Sequence, residues 1–186
     1  MTHWTIAGSL DVHSPADRPD LLAEPVAAAL RALDQADAAR FGVVEIDPEL
    51  ADTAQFCEAY GSPPHASANC VVVAGKRAGE ERFAACLVLA TTRADVNGVV
   101  RRRLDVRKAS FAPMDAAVEL TGMAYGGITP IGLPKDWPLL IDPAVAGAAE
   151  LIIGSGLRDG KLLVPGEVLV KLPGAEVVEG LGRPVG

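Results

Sequence analysis

Apolar residues recur along the chain with two spacings, one typical of helices and one typical of strands. Over residues 19–40 they return every three or four positions, which predicts an amphipathic helix. Residues 53–60 predict a second helix that ends at Gly61, because glycine tolerates the left-handed backbone that ends many helices. Further helices are predicted over residues 95–105, 113–120 and 165–172. The apolar face of the first helix comprises Leu22, Val26, Ala29, Leu30 and Leu33.

Short apolar runs bounded by glycine, proline or aspartate predict strands. They cover residues 41–46, 69–74, 84–90, 107–112, 139–142, 151–153, 161–164 and 176–179. A turn over residues 75–80 predicts an antiparallel hairpin, and residues 161–164 are expected to form a hairpin with residues 151–153. The alternation of helices and strands predicts an α/β fold of mixed α+β type. We expect a mixed, largely antiparallel central sheet or partial barrel flanked by helices.

The length of 186 residues predicts one compact domain over residues 1–186. Because 49% of the residues are hydrophobic and only 4% are aromatic, the core must consist mainly of Val, Leu, Ala and Ile. Residues 1–20 are polar and contain proline, which predicts an irregular arm or edge. Residues 21–66 form a predicted helix–strand–helix portion. These patterns leave the oligomeric state open.

Charge and cysteine content exclude several classes of protein. A net charge of −7 argues against a broad DNA-coating surface, although a local basic patch is compatible with it. No apolar run reaches the roughly 18 residues of a membrane span, and residues 1–6 do not resemble a secretory signal. Cys57, Cys70 and Cys86 lack metal-ligand spacing, and the last two lie in apolar runs. We therefore expect a cytoplasmic protein with reduced thiols, no metal and no cofactor.

The densest cluster of turn residues lies at residues 121–132, which read Thr-Gly-Met-Ala-Tyr-Gly-Gly-Ile-Thr-Pro-Ile-Gly. Adjacent glycines allow backbone amides to approach a ligand closely, and Pro130 stiffens the turn. Such a loop can hold a carbonyl oxygen or an anion. The alternative is a tight connection between two packed elements.

Residues 67–181 resemble the YbaK/prolyl-tRNA-synthetase-associated domain family of trans-editing aminoacyl-tRNA deacylases. The resemblance rests on the motif T-G-x-x-x-G-G-I-x-P-x-G, which residues 121–132 fill at every fixed position. A strand ending at Asp142 and a later strand ending in Gly154-Ser155-Gly156 follow in the family's order. The resemblance implies hydrolysis of the ester between a wrong amino acid and the acceptor end of tRNA, without a cofactor.

The resemblance also implies roles for particular residues. Backbone amides at Gly126, Gly127 and Ile128 are expected to hydrogen-bond the ester carbonyl, and a water or the neighbouring ribose hydroxyl is expected to attack. Thr129 and Pro130 are expected to shape the substrate pocket. This chemistry suits a chain with no nucleophile elbow and no HExxH sequence.

One position departs from the family pattern. Family members usually carry a lysine where this chain has Asn69, at the start of the predicted strand over residues 69–74. Asparagine donates and accepts hydrogen bonds but carries no charge. Asn69 is therefore either a site residue of altered chemistry or a strand-entry residue that caps its own backbone. Lys76, in the predicted turn, is not expected to replace the missing charge.

Other polar residues have two interpretations each. His65 can position water or adenine, or it can be a surface loop residue. Asp142 can bind the substrate amine or cap the turn that begins at Pro143. Ser155 can contact substrate with its hydroxyl or amide, together with Gly154, or it can belong to a plain turn.

A basic cluster over residues 101–108 is the candidate tRNA-phosphate contact. Its members are Arg101, Arg102, Arg103, Arg107 and Lys108. The alternative is a solvated helix face paired with acids. The sequence thus predicts an aminoacyl-tRNA deacylase. The competing hypotheses are a non-catalytic aminoacyl-tRNA or partner-binding module of the same fold and a hydrolase of small esters or amides.

Overall fold

The chain forms ten β-strands and seven short α-helices in the computed structural model, which describes residues 3–185. The first two residues of the predicted arm and the last residue of the predicted domain lie outside the described part. The strands are β1 (Gly42–Glu45), β2 (Ala68–Arg77), β3 (Glu80–Leu89), β4 (Thr92–Ala94), β5 (Ala109–Phe111), β6 (Leu139–Ile141), β7 (Leu151–Gly154), β8 (Gly160–Val164), β9 (Ala175–Val177) and β10 (Gly182–Pro184). The helices are α1 (Glu24–Ala32), α2 (Gln35–Ala38), α3 (Thr53–Tyr60), α4 (Arg101–Leu104), α5 (Met114–Thr121), α6 (Pro143–Ala146) and α7 (Gly166–Leu169).

Two predicted helices, α3 and α5, each end at a glycine in the left-handed conformation. The side chain of Asp52 accepts a hydrogen bond from the Ala54 amide and starts α3, and Gly61 ends it with φ of 73°. Gly122 ends α5 in the same way, with φ of 69°. The prediction for residues 53–60 is confirmed because both of its boundaries are local capping signals.

The single helix predicted over residues 19–40 is wrong. A 3-10 turn at Pro19–Leu21 precedes α1, and α2 follows it as a separate turn. Leu33 adopts an extended backbone with ψ of 157°, and Asp34 then caps α2 through the Ala36 amide. The 3-10 turn, α1 and Leu33 pack on one core, whereas α2 buries no residue.

A five-stranded sheet with the order β5-β2-β3-β6-β9 and a three-stranded sheet with the order β1-β8-β7 form the body of the protein. The predicted hairpins β2–β3 and β7–β8 are antiparallel, whereas β6 pairs in parallel with β3 and β9. The mixed, largely antiparallel sheet flanked by helices is confirmed, and the described strands form no closed barrel. The turn between β2 and β3 comprises only Ala78 and Gly79, so both strands are longer than predicted.

The two faces of the five-stranded sheet bury different clusters. Neighbouring β2 residues point to opposite sides, so Val72 packs with Ala117 of α5 while Val73 packs with Leu104 of α4. Residues 3–20 lie against β1, with Ile6 buried and a bridge from His13 to Val43. Among residues 3–185, no helix combines the length and hydropathy needed to span a bilayer.

Candidate functional site

The glycine loop, residues 121–132, packs directly on the turn that follows β7. The Gly156 amide donates to the Gly127 carbonyl at 2.7 Å, and the Ala124 amide donates to the Gly156 carbonyl at 2.8 Å. Gly154 allows this approach, since a Cβ there would lie 2.5 Å from the Gly127 carbonyl oxygen. The structure therefore brings together the two glycine motifs that the sequence places some 30 residues apart.

Within the loop, the three amides expected to bind a carbonyl differ in their availability. The Gly127 amide already donates to the Ala124 carbonyl at 2.9 Å, which closes a turn. The amides of Gly126 and Ile128 have no acceptor among residues 3–185. Gly126 adopts φ of 88°, a left-handed conformation that favours glycine. Two of the three expected donors are therefore free for a ligand.

These features border a cavity of about 400 Å³, a size within the range of small-molecule sites. Its walls come from the glycine loop, the first half of β2, the end of β5, helix α5, strands β7 and β8, and the start of α3. The polar and charged side chains among its lining residues are Asp52, Thr53, Ser67, Asn69, Tyr125, Arg158 and Lys161. Phe111 and Tyr125 are more than half exposed at its rim.

Asn69 lies on this cavity, at the exposed start of β2. Its side-chain oxygen Oδ1 accepts a hydrogen bond of 3.0 Å from the hydroxyl Oγ1 of Thr53, the first residue of α3. This contact orients the amide group and leaves its Nδ2 donor without an acceptor in the described part of the chain. Asn69 is thus held in place by a side chain rather than by its own backbone.

Lys161 is the site residue that sequence reasoning missed. It lies in β8 with only 7% of its surface exposed, and its ammonium group sits 5.0 Å from the centre of the buried Phe56 ring. Burial lowers the pKa of Lys161, while Cys57 and Asp52 oppose this shift. The signal in the sequence that could have identified it is a lysine next to the apolar residues 162–164 of a predicted strand.

Arg158 connects the glycine loop to the opposite rim of the cavity. One guanidinium nitrogen donates to the Tyr125 carbonyl at 3.2 Å and the other donates to the Pro48 carbonyl at 3.0 Å. A Cβ on Gly126 would collide with this guanidinium. The arginine therefore holds the loop across the cavity with two of its five N–H donors.

Several predicted residues do not line the cavity. Both carboxylate oxygens of the buried Asp142 accept backbone hydrogen bonds, at 3.1 Å from Ala144 and at 2.8 Å from Gly182. The Ser155 hydroxyl contacts Leu157 within its own turn.

Three further predicted residues, and Gly127, are not among the residues that line the cavity. His65 is exposed in a 3-10 turn that precedes β2. Thr129 and Pro130 are buried residues of the glycine loop, and the Thr129 hydroxyl has no partner among residues 3–185.

The residues of the basic cluster do not line the cavity. Helix α4 packs on the sheet face that contains Val73, and the cavity is lined by β2 residues of both faces, among them Val71 and Val72. Arg103 pairs with Glu176 at 2.8 Å, and Arg101 donates to a backbone carbonyl. Arg102, Arg107 and Lys108 are exposed and have no ion pair in the described chain.

Fold and site together define a mixed α/β domain with a small cavity walled by a glycine-rich loop. The model of the aminoacyl-tRNA editing domain family matches residues 47–172, and the chain belongs to that family. The match begins ahead of residue 67, where the sequence resemblance was placed, and it includes α3. Membership of this family supports a role in aminoacyl-tRNA editing, and the resemblance seen in the sequence is confirmed.

Solved structures have the same fold. A candidate trans-editing enzyme for prolyl tRNA synthetase is 24% identical, with a TM-score of 0.71 over 87% of this chain and 96% of its own. The protein APE2540 is 20% identical, with a TM-score of 0.72 over 86% of this chain and 100% of its own.

Proposed function

We propose that the protein hydrolyses the ester bond of mischarged aminoacyl-tRNA in trans. The observation that carries this proposal is the pair of free amides, at Gly126 and Ile128, beside a small cavity in a chain of the aminoacyl-tRNA editing family. Two such donors aimed at one oxygen stabilise the negative charge that develops on an ester carbonyl during hydrolysis.

The cavity can hold the acyl group of the substrate. Its volume of about 400 Å³ is more than an amino acid needs. At the rim, the exposed rings of Phe111 and Tyr125 offer faces on which adenine can stack. The ester then lies between the rim and the cavity, next to Gly126.

The reaction needs only a water molecule. The water oxygen bonds to the carbonyl carbon, the bond from that carbon to the ribose oxygen breaks, and a proton passes to the ribose oxygen. Amide donors in such positions each lower the barrier by roughly 3 kcal/mol. The free Nδ2 donor of Asn69 can hydrogen-bond the ribose or the attacking water. Burial raises the pKa of the cavity thiol Cys70, which disfavours a thiolate nucleophile.

The alternative is a binding module of the same fold that has lost turnover. The neutral Asn69, at the position where the family usually has lysine, favours this alternative. Purified protein incubated with a panel of mischarged tRNAs separates the two functions. Release of amino acid above the uncatalysed rate supports hydrolysis, whereas tRNA binding with no release from any pair overturns it. Release from small esters or amides without tRNA would support the third hypothesis.

A matched pair of glycine variants tests the role of the loop. Gly126→Ala and Gly79→Ala both place a side chain at positive φ, but only the first meets another group, Arg158. We expect Gly126→Ala to lower kcat/KM at least tenfold, because it displaces the loop from Arg158. Gly79→Ala, in the β2–β3 turn, controls for backbone strain. Equal activity of the two variants would contradict the role of the loop.

A further inference from the structure

Lys161 is a largely buried residue whose ammonium group faces the cavity and has no partner among residues 3–185. Its β8 neighbours Leu162, Leu163 and Val164 are fully buried apolar residues, and 93% of its own surface is buried. The ammonium group forms no ion pair and donates no hydrogen bond among residues 3–185, and it lies over the Phe56 ring. Burying a charge in this way is costly, and methionine would fill similar space without that cost.

The charges around the cavity favour an electron-rich ligand. Its charged lining residues are Asp52, Arg158 and Lys161, a positive balance in a protein of net charge −7. Arg158 is occupied by two backbone carbonyls, and Asp52 caps α3 at the exposed rim. Arg158 uses two of its five N–H donors in this way, whereas the ammonium group of Lys161 donates to no group among residues 3–185.

Burial places Lys161 further inside than the groups expected to meet the ester. Gly126, Asn69 and Tyr125 are exposed at the mouth, whereas Lys161 is almost entirely enclosed. When the ester carbonyl lies at Gly126, the part of the substrate that extends beyond it into the cavity is the amino-acid side chain. The phosphate of the terminal nucleotide lies on the other side of the ribose, outside the mouth.

We propose that Lys161 is a specificity-determining residue that selects amino-acid side chains ending in a carboxylate or amide oxygen. The proposal rests on the proposed function, since it takes the acyl group of an aminoacyl ester as the occupant of the cavity. A charged donor in an enclosed site forms strong hydrogen bonds to such oxygens. It rejects an apolar side chain of equal shape, because the cation would then remain buried without a partner.

Aspartate, asparagine and leucine provide the test because their side chains share one branched shape. Adenosine derivatives in which an amide replaces the 3′ ester carry each of these acyl groups and cannot be hydrolysed as esters. Calorimetric titration of the full chain should show affinities in the order aspartyl, asparaginyl, leucyl. We expect roughly a 100-fold difference between the first and the last.

Lys161→Met should reduce this difference to a few-fold. The matched control is Lys135→Met, which removes an exposed lysine outside the cavity and should leave the preference intact. In the unsubstituted protein, the NMR signal of the Lys161 ammonium group should shift on addition of the aspartyl derivative. This measurement does not depend on the folding of a variant.

Three outcomes would overturn the proposal: no preference in the native protein, an equal loss for all three derivatives in Lys161→Met, or an unmoved ammonium signal. The same panel separates this inference from the proposed function. Binding with the aspartyl preference but no hydrolysis of any aminoacyl-tRNA contradicts the proposed function alone. Ester hydrolysis that ignores the side chain contradicts the role of Lys161 alone.

Discussion

Lys161 carries a charge that the fold makes costly to bury, and this cost makes stability depend on pH. Because its pKa is lower in the folded state, the folded protein releases this proton at a lower pH than the unfolded chain. Between those two pKa values the unfolded chain binds more protons, so the free energy of unfolding rises with pH there. Below both values the burial penalty is fully present.

We therefore expect Lys161→Met to unfold at higher urea concentration than the native protein at pH 7, with a gain of about 1 kcal/mol or more. The gain should shrink as the pH approaches the ordinary lysine value of about 10.4. Urea denaturation between pH 7 and pH 10 measures it, with Lys135→Met as the exposed control. A gain that does not change with pH would show that the ammonium group is well solvated.

The thiols of Cys70 and Cys86 should be slow to react in the folded protein. Burial raises the pKa of both, that of Cys86 to about 12, so the thiolate is scarce at neutral pH. A disulfide reagent at pH 8 should modify them much more slowly than it does in urea, with mass spectrometry assigning each site. Cys70 lines the cavity, so its fast modification would support a thiolate nucleophile in the reaction.

Substitutions of Asp142 test whether its role is structural or lies in substrate binding. It joins α6 and β10 through hydrogen bonds from Ala144 and Gly182, so Asp142→Ala should lower the free energy of unfolding by about 1–3 kcal/mol. Asp142→Asn, which keeps one acceptor oxygen, should lose less. The KM of the folded variants should not change. A raised KM with unchanged stability would instead support binding of the substrate amine.

At the scale of elements, the glycine loop can pack against β7 because Gly154 has no side chain. In Gly154→Ala the new Cβ would lie 2.5 Å from the Gly127 carbonyl oxygen and 2.9 Å from that of Ile128. We expect a loss of roughly 1–3 kcal/mol in stability and a displaced loop with reduced hydrolysis. Gly147→Ala is the matched control, because its Cβ would lie 3.4 Å from the nearest atom, an ordinary contact. Equal stability of the two variants would contradict the tight packing.

Element boundaries followed from the sequence wherever a local signal sets them. Asp52 and Gly61 delimit α3 through capping and a left-handed residue, both readable from residue type alone. The break at Leu33 was missed, since apolar spacing continues across it and Asp34 is a weak signal on its own. The short strands β4 and β10 were missed because they are stabilised mainly by pairing with each other.

At the scale of the whole molecule, the basic cluster lies outside the lining of the cavity. If the cluster contacts tRNA phosphates, we expect the tRNA to reach the cavity along β5, which joins Lys108 to the rim residue Phe111. Substituting Arg102→Gln and Lys108→Gln together should lower tRNA affinity and reduce the slope of log affinity against log salt by roughly 1 per lost phosphate contact. Arg31→Gln, which removes an exposed charge from α1, is the control.

Adenosine derivatives report on the cavity alone. Their affinity for the double variant should equal that for the native protein, because neither substituted residue lines the cavity. If the double substitution leaves the slope of log tRNA affinity against log salt unchanged, the cluster does not contact phosphates and is a solvated helix face.

The sequence by itself determined the features that short stretches specify: the fold class, most strand positions, the glycine loop and the departure at Asn69. These depend on residue types within a few positions of one another. Only the tertiary structure decided that Gly127 lies on Gly154, that β6 pairs in parallel with β3, and that Lys161 turns into the cavity. Such contacts join residues far apart in the chain, and the burial of a side chain depends on which distant elements pack around it.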